Sequence, residues 1–120
     1  MNVIAIGAHP DDIEIGAGGS VALHRARGDT VRFLVLTRGG ELSPPAKREA
    51  EAREAAAVLD VDDVRVMGYE DTKVPYDHEI VERIDDHLTE IDVDRAYIHT
   101  EEDTHQDHRH AALASIAAGR

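Results

Sequence analysis

Short apolar runs alternate with longer amphipathic stretches along the whole chain. Residues 3–7, Val-Ile-Ala-Ile-Gly, form a continuous apolar run closed by glycine, which predicts a strand buried on both faces. Residues 16–27 then take up a helical period, with Val21, Ala22 and Leu23 expected to face inward, and Gly28-Asp29 marks a turn. Residues 30–36, rich in branched and aromatic side chains, predict a second strand. Ser43-Pro44-Pro45 is a helix-start signal, because proline is tolerated in a first turn, and the Ala/Glu/Arg-rich segment after it predicts a helix reaching Leu59. A short third strand is expected over 64–67. Over 77–89, Ile80, Val81, Ile84 and Leu88 fall on one face of a helix. Residues 95–98 read as a fourth strand and 107–118 as a last helix.

Strict alternation of strand and helix predicts an α/β architecture, an open parallel sheet covered by helices on both faces. Right-handed crossovers leave few arrangements, and the Rossmann-like order 3-2-1-4 is the expected one. That order sets strands one and four side by side. The loops leaving their carboxyl ends diverge to opposite faces and open a crevice, where such folds bind ligands. No repeat, low-complexity tract or linker interrupts the pattern, so residues 1–120 are expected to form one domain.

Composition then narrows the chemistry. There is no cysteine, so thiolate sites and cysteine nucleophiles are excluded, and any metal must use imidazole and carboxylate ligands. Twenty-five acidic residues against 13 basic ones give a net charge of −12. That field repels phosphate backbones, so no nucleic-acid partner is expected. No apolar run approaches the roughly 18 residues of a membrane span, and the first residues lack the basic and apolar segments of a secretory signal. The expectation is a cytoplasmic protein with no membrane partner. Lysine occurs only at 47 and 73. Acid excess with scarce lysine suits a halophilic source, where salt screens the self-repulsion; an ordinary acidic cytoplasmic protein is the plainer alternative.

Candidate chemistry gathers after strands one and four. The first is followed by Ala8-His9-Pro10-Asp11-Asp12-Ile13-Glu14, the fourth by a stretch holding His99, Asp103, His105, Asp107, His108 and His110. His9 and Asp12 flank a turn stiffened by Pro10, which lowers the entropy lost when both aim at one point. Two histidines and one carboxylate are a common catalytic zinc set, with the fourth position open, and the second loop offers His105, His108 or His110 as the third ligand. Thr104-His105-Gln106-Asp107 fits a capping box, which would start the helix at Thr104 and bring His105 and His108 to one side of its first turn. Each cluster alone reads more plainly as a polar loop or a helix-start acid; the two at adjacent strand ends read as a site.

Gly7-Ala8-His9-Pro10-Asp11-Asp12-Ile13-Glu14 and His105-Gln106-Asp107-His108-Arg109 resemble the two signature motifs of the PIG-L/LmbE-like metal-dependent N-acetylglucosamine deacetylases. Thr37-Arg38-Gly39, Arg48-Glu49-Ala50-Glu51, Ala55-Ala56-Ala57-Val58-Leu59 and Tyr69-Glu70-Asp71 resemble further family segments, so the resemblance runs over most of the chain. It implies His9, Asp12 and His108 as ligands of a zinc ion or another divalent metal, and Asp11 as the general base for metal-bound water. It implies His105 as the group that stabilises the oxyanion or protonates the leaving amine, Asp107 as the residue orienting His105, and Arg48 as a substrate contact. The implied reaction removes an acetyl group from an N-acetylated sugar. Family members run longer, so part of the substrate pocket is expected either beyond this sequence or from a second copy in a homo-oligomer. A non-catalytic metal- or nucleotide-binding remnant and a phosphoester hydrolase are the competing readings; the acidic crevice disfavours the latter.

The remaining features read as structural. The run Gly16-Ala17-Gly18-Gly19-Ser20 does not match the dinucleotide fingerprint and suggests close helix packing or backbone approach to substrate. His24, His78 and His87 are expected at the surface, and His99 and His110 near the site without ligating. Glu14 is a candidate support for a ligand. Asp60 stands where the family's helix commonly ends in glycine.

Overall fold

The computed structural model describes residues 1–38 and 45–120. Four strands, β1 (Asn2–Gly7), β2 (Thr30–Thr37), β3 (Asp63–Tyr69) and β4 (Arg95–Tyr97), alternate with α1 (Asp12–Ala26), α2 (Pro45–Val58), α3 (His78–Glu90) and α4 (Gln106–Ala118). The strands form one parallel sheet in the order β3-β2-β1-β4, as the alternation predicts. Of the expected Ser43-Pro44-Pro45 helix start, Ser43 and Pro44 lie outside the described residues; the helix begins at Pro45. No helix among the described residues is long and apolar enough to cross a membrane.

Strand residues point alternately to two cores because side chains alternate across a sheet. Val3, Ala5, Phe33 and Val35 meet Ile13 and Val21 of α1 and Ala56 of α2. Ile4, Ile6, Leu34 and Leu36 meet Ile80 and Ile84 of α3 and Ala111 and Ala114 of α4. Each fully buried Leu, Ile or Phe contributes about 1.5–3 kcal/mol. The alanine-rich face of α4 allows that helix to lie close to β1, which places its first turn beside the β1 loop.

Several expectations about α1 are corrected. The helix starts at Asp12, four residues ahead of the glycine run, with Asp11 in the N-cap position. Its phase is set by Ile13, and steps of four, four and three bring Ala17, Val21 and His24 inward. Ala22 and Leu23 therefore face solvent, and Leu23 is 68% exposed. His24 is buried: Nδ1 lies 2.8 Å from Asp29 and Nε2 2.8 Å from the Tyr97 hydroxyl, joining α1 to β4. Gly16 and Gly19 have open space where a Cβ would stand, and Gly18 only an ordinary contact with Leu59, so the run is not there for tight packing. The glycine that packing demands is Gly7. A Cβ there would lie 2.9 Å from Ile13 Cγ1 and 3.3 Å from Asp12 Cβ. Asp60, the residue in place of glycine after α2, adopts φ +62, a left-handed conformation that Asp tolerates better than most residues.

His87 is the second histidine that is not simply a surface residue. Arg32, buried within β2, is paired with Asp63 and Glu90 and donates to His87 Nδ1 at 3.1 Å. Burial first, and then the Arg32 cation, hold the imidazole below its ordinary pKa. The unfolded chain takes up a proton near pH 6.5 that the folded chain refuses, so stability is lost as pH falls below that value. Urea unfolding at pH 7.5 and 5.5 is expected to show a smaller loss on acidification for His87→Gln than for the parent. Equal losses would remove His87 as the cause.

Candidate metal centre

The site is built from the β1–α1 turn, the loop after β4 and the first turn of α4. The His9 amide donates to Asp12 Oδ2 at 2.8 Å and the Asp12 amide to the His9 carbonyl at 3.2 Å. The turn around Pro10 is thus closed at both ends, and Asp12 enters as the first residue of α1. His105 caps α4, its Nδ1 accepting the Asp107 amide at 3.1 Å, so the expected cap at Thr104 is displaced by one residue. His108 follows one turn into the helix. As expected, the rings of His105 and His108 lie together, stacked with centroids 4.7 Å apart.

One oxygen joins the two halves. Asp12 Oδ2 lies 3.2 Å from His9 Nδ1 and 3.1 Å from His108 Nε2. The three side chains are only 15–19% exposed, and one donor atom from each falls within 4.8 Å of the others. Donors about 2.0–2.1 Å from a tetrahedral zinc stand roughly 3.3 Å apart, close to the two distances from Asp12 to the imidazoles. The far nitrogen of each ring is also engaged: His9 Nε2 lies 2.9 Å from Asp107 and His108 Nδ1 3.0 Å from Asp103. A carboxylate behind each ligating imidazole is the arrangement that orients such rings toward a metal. Burial opposes ionisation of Asp12. The His9 imidazole and amide and the His108 ring nevertheless hold its carboxyl far below the usual range. The Asp12 hydrogen bond, working against burial and assisted by Asp107, raises His9 to about 9.

The other sequence candidates fall into place unevenly. Asp11, next in sequence to Asp12, is exposed and makes no side-chain capping bond to α1. His105, also exposed, uses Nδ1 as an acceptor, which leaves Nε2 as the ring's donor. Asp107 is corrected: its carboxylate is fully buried and receives the Thr72 and Val74 amides and His9. Only its main-chain amide meets His105, because residues two apart at a helix start cannot turn both side chains to each other. Glu14 makes no hydrogen bond to His9, Asp12 or His108; its Oε2 is buried without a partner, and burial raises its pKa. Arg48 sits in the first turn of α2, 3.6 Å from Glu51, with a buried Nε that has no partner among the described residues. Among those residues no contact brings it to His9, Asp12 or His108.

Sequence reasoning missed Asp71 and Asp103. Asp103 accepts the His105 amide and then the His108 ring, which together hold its carboxyl below the usual range. Asp71 lies 2.9 Å from His9 Nε2. Nothing in spacing announces either, since both sit in irregular loops. His99, expected nearby, stacks on His108 at 3.9 Å and accepts the Ala8 amide. His110 donates from α4 to the Val74 carbonyl.

Fold and site together define a Rossmann-like α/β protein with a His/Asp cluster suited to a cation at the carboxyl edge of the sheet. The profile described as "PIG-L: GlcNAc-PI de-N-acetylase" matches residues 4–118, and the chain belongs to that family. It is 30% identical to "Uncharacterized deacetylase YaiS" of Escherichia coli, over 98% of this chain and 68% of the relative. It is 33% identical to the diacetylchitobiose deacetylase of Thermococcus kodakarensis, over 97% of this chain and 48% of that enzyme. The N,N'-diacetylchitobiose deacetylase of Pyrococcus horikoshii superposes with a TM-score of 0.90 at 26% identity, covering 98% of this chain and 48% of that one. The chain thus spans about half the length of both diacetylchitobiose enzymes. A 4-carboxy-2-hydroxymuconate hydratase also superposes, with a TM-score of 0.85 at 25% identity over 98% of this chain and 55% of that one. The fold by itself therefore does not select the reaction.

Proposed function

We propose that the chain holds one divalent cation, zinc in the first instance, through His9, Asp12 and His108, and hydrolyses the N-acetyl group of an N-acetylglucosamine-type sugar. The observation that carries this reading is Asp12 Oδ2 set between one nitrogen of His9 and one of His108, with a carboxylate behind each ring. Family membership and the deacetylase relatives favour amide hydrolysis over other reactions of the fold. When bound, the cation supplies a Lewis acid that acidifies water and polarises the amide carbonyl.

The protein's own groups do the rest. Asp11, next to a ligand but unbonded, takes the proton of the attacking water. His105 offers its Nε2 proton to the oxygen on which negative charge develops. A cavity of about 120 Å³ borders Asp12 and His99 and is lined by Ile13, Gly16 and Ala17. Arg48, whose Nε has no partner among the described residues, is the proposed sugar contact.

Acetate release from N-acetylglucosamine and from N,N'-diacetylchitobiose tests the reading. Release is expected with zinc, lost on chelation and restored by zinc. Zinc-loaded protein that releases acetate from neither sugar overturns the proposed substrate class.

A further inference from the structure

The β3–α3 loop passes in front of the start of α4 and is fastened there. The Thr72 and Val74 amides donate to the two oxygens of Asp107 at 2.7 and 3.1 Å, and His110 Nδ1 donates to the Val74 carbonyl at 2.7 Å. Asp107 also holds His9 Nε2, so a single buried carboxylate joins the imidazole to the loop. The residue before Thr72 completes the arrangement, because Asp71 Oδ1 stands 2.9 Å from the same nitrogen of His9. Two carboxylates from different elements thus flank one ring nitrogen.

Thr72 is the unexpected part of this loop. Its φ is +68, a left-handed conformation that a β-branched residue rarely adopts. Such a conformation persists only where its surroundings over-determine it. Here those surroundings are named: the amide is held by Asp107 on one side, and the next anchor, Val74, is held at both its amide and its carbonyl. The left-handed turn at 72 lets the chain give its amides to Asp107 while the Asp71 side chain still reaches His9.

On the metal reading above, we propose that the 71–74 strap is a positioning element of the metal centre. Asp107 fastens it through two amides so that Asp71 supplies a second carboxylate to the outer nitrogen of His9. Asp71 and Thr72 act through His9, as positioning residues. An imidazole flanked on its outer nitrogen from two directions cannot rotate about its bond to the backbone, which fixes where its inner nitrogen points.

Cobalt(II) titration against a competing chelator, read by visible absorption, tests this with a signal that a merely structural strap would not move. Asp71→Ala and Thr72→Pro, the latter lacking the amide, are expected to weaken cobalt binding about 10–100-fold and to shift the bands. Thr72→Gly keeps the amide and the left-handed turn and is expected to match the parent in affinity and band position. Parent-like affinity and bands in Asp71→Ala overturn the inference while leaving the metal centre standing. Should Thr72→Pro fail to fold, Asp71→Ala decides alone, since that side chain is one-third exposed. A parent protein that binds no cobalt overturns the metal reading and this inference with it.

Discussion

Asp11→Asn is expected to lower the rate of acetate release about 10²–10⁴-fold, the range a positioned general base supplies. Zinc content should stay unchanged. Asparagine has nearly the same shape and cannot take a proton, so the substitution removes the base and little else. Asp11 is exposed and makes no capping bond to α1, which leaves the fold little to lose. A variant with the parent's rate would show that the proton goes elsewhere, and the assigned role would fall even if deacetylation itself stood.

His108→Ala is expected to abolish zinc retention through dialysis, measured as metal per chain. Three protein ligands are the usual complement of a catalytic zinc site, and losing one leaves a pair without an imidazole from the second loop. The same measurement on Asp103→Ala is expected to show a milder defect, about 10–100-fold in affinity, because that carboxylate only orients the His108 ring. Equal zinc retention by His108→Ala and the parent would remove His108 from the ligand set.

Much of this was legible in the sequence because it depends on periodicity and on covalent neighbours. Ile80, Val81, Ile84 and Leu88 marked their helix face correctly because steps of three and four survive any tertiary context. Strand order followed from crossover handedness, and His9 and Asp12 were readable as a pair because a proline-stiffened turn fixes their separation. The early start of α1 was hidden because glycines disfavour helix, whereas the helix is specified from outside the run, by Ile13 packing under Gly7. His24 and His87 were misjudged for a related reason. Their partners, Tyr97 and Arg32, lie 73 and 55 residues away, and only the folded sheet brings them near. Asp107 was assigned to the neighbour closest in sequence, whereas a helix start turns its side chain toward a loop 33–35 residues upstream. The meeting of the β1 and β4 loops was readable from strand order; the packing of the β3–α3 loop against them was not.

The missing side chain at position 7 ties two properties that are usually adjusted separately. Ile13, which fills the space above Gly7, is the immediate neighbour of the carboxylate that bridges His9 and His108. Any bulk added at that strand end lifts the start of α1 and carries Asp12 with it. On the proposed metal reading, the tightness of one interior contact and the grip on an ion are therefore linked, and repacking to improve the first is expected to be felt in the second.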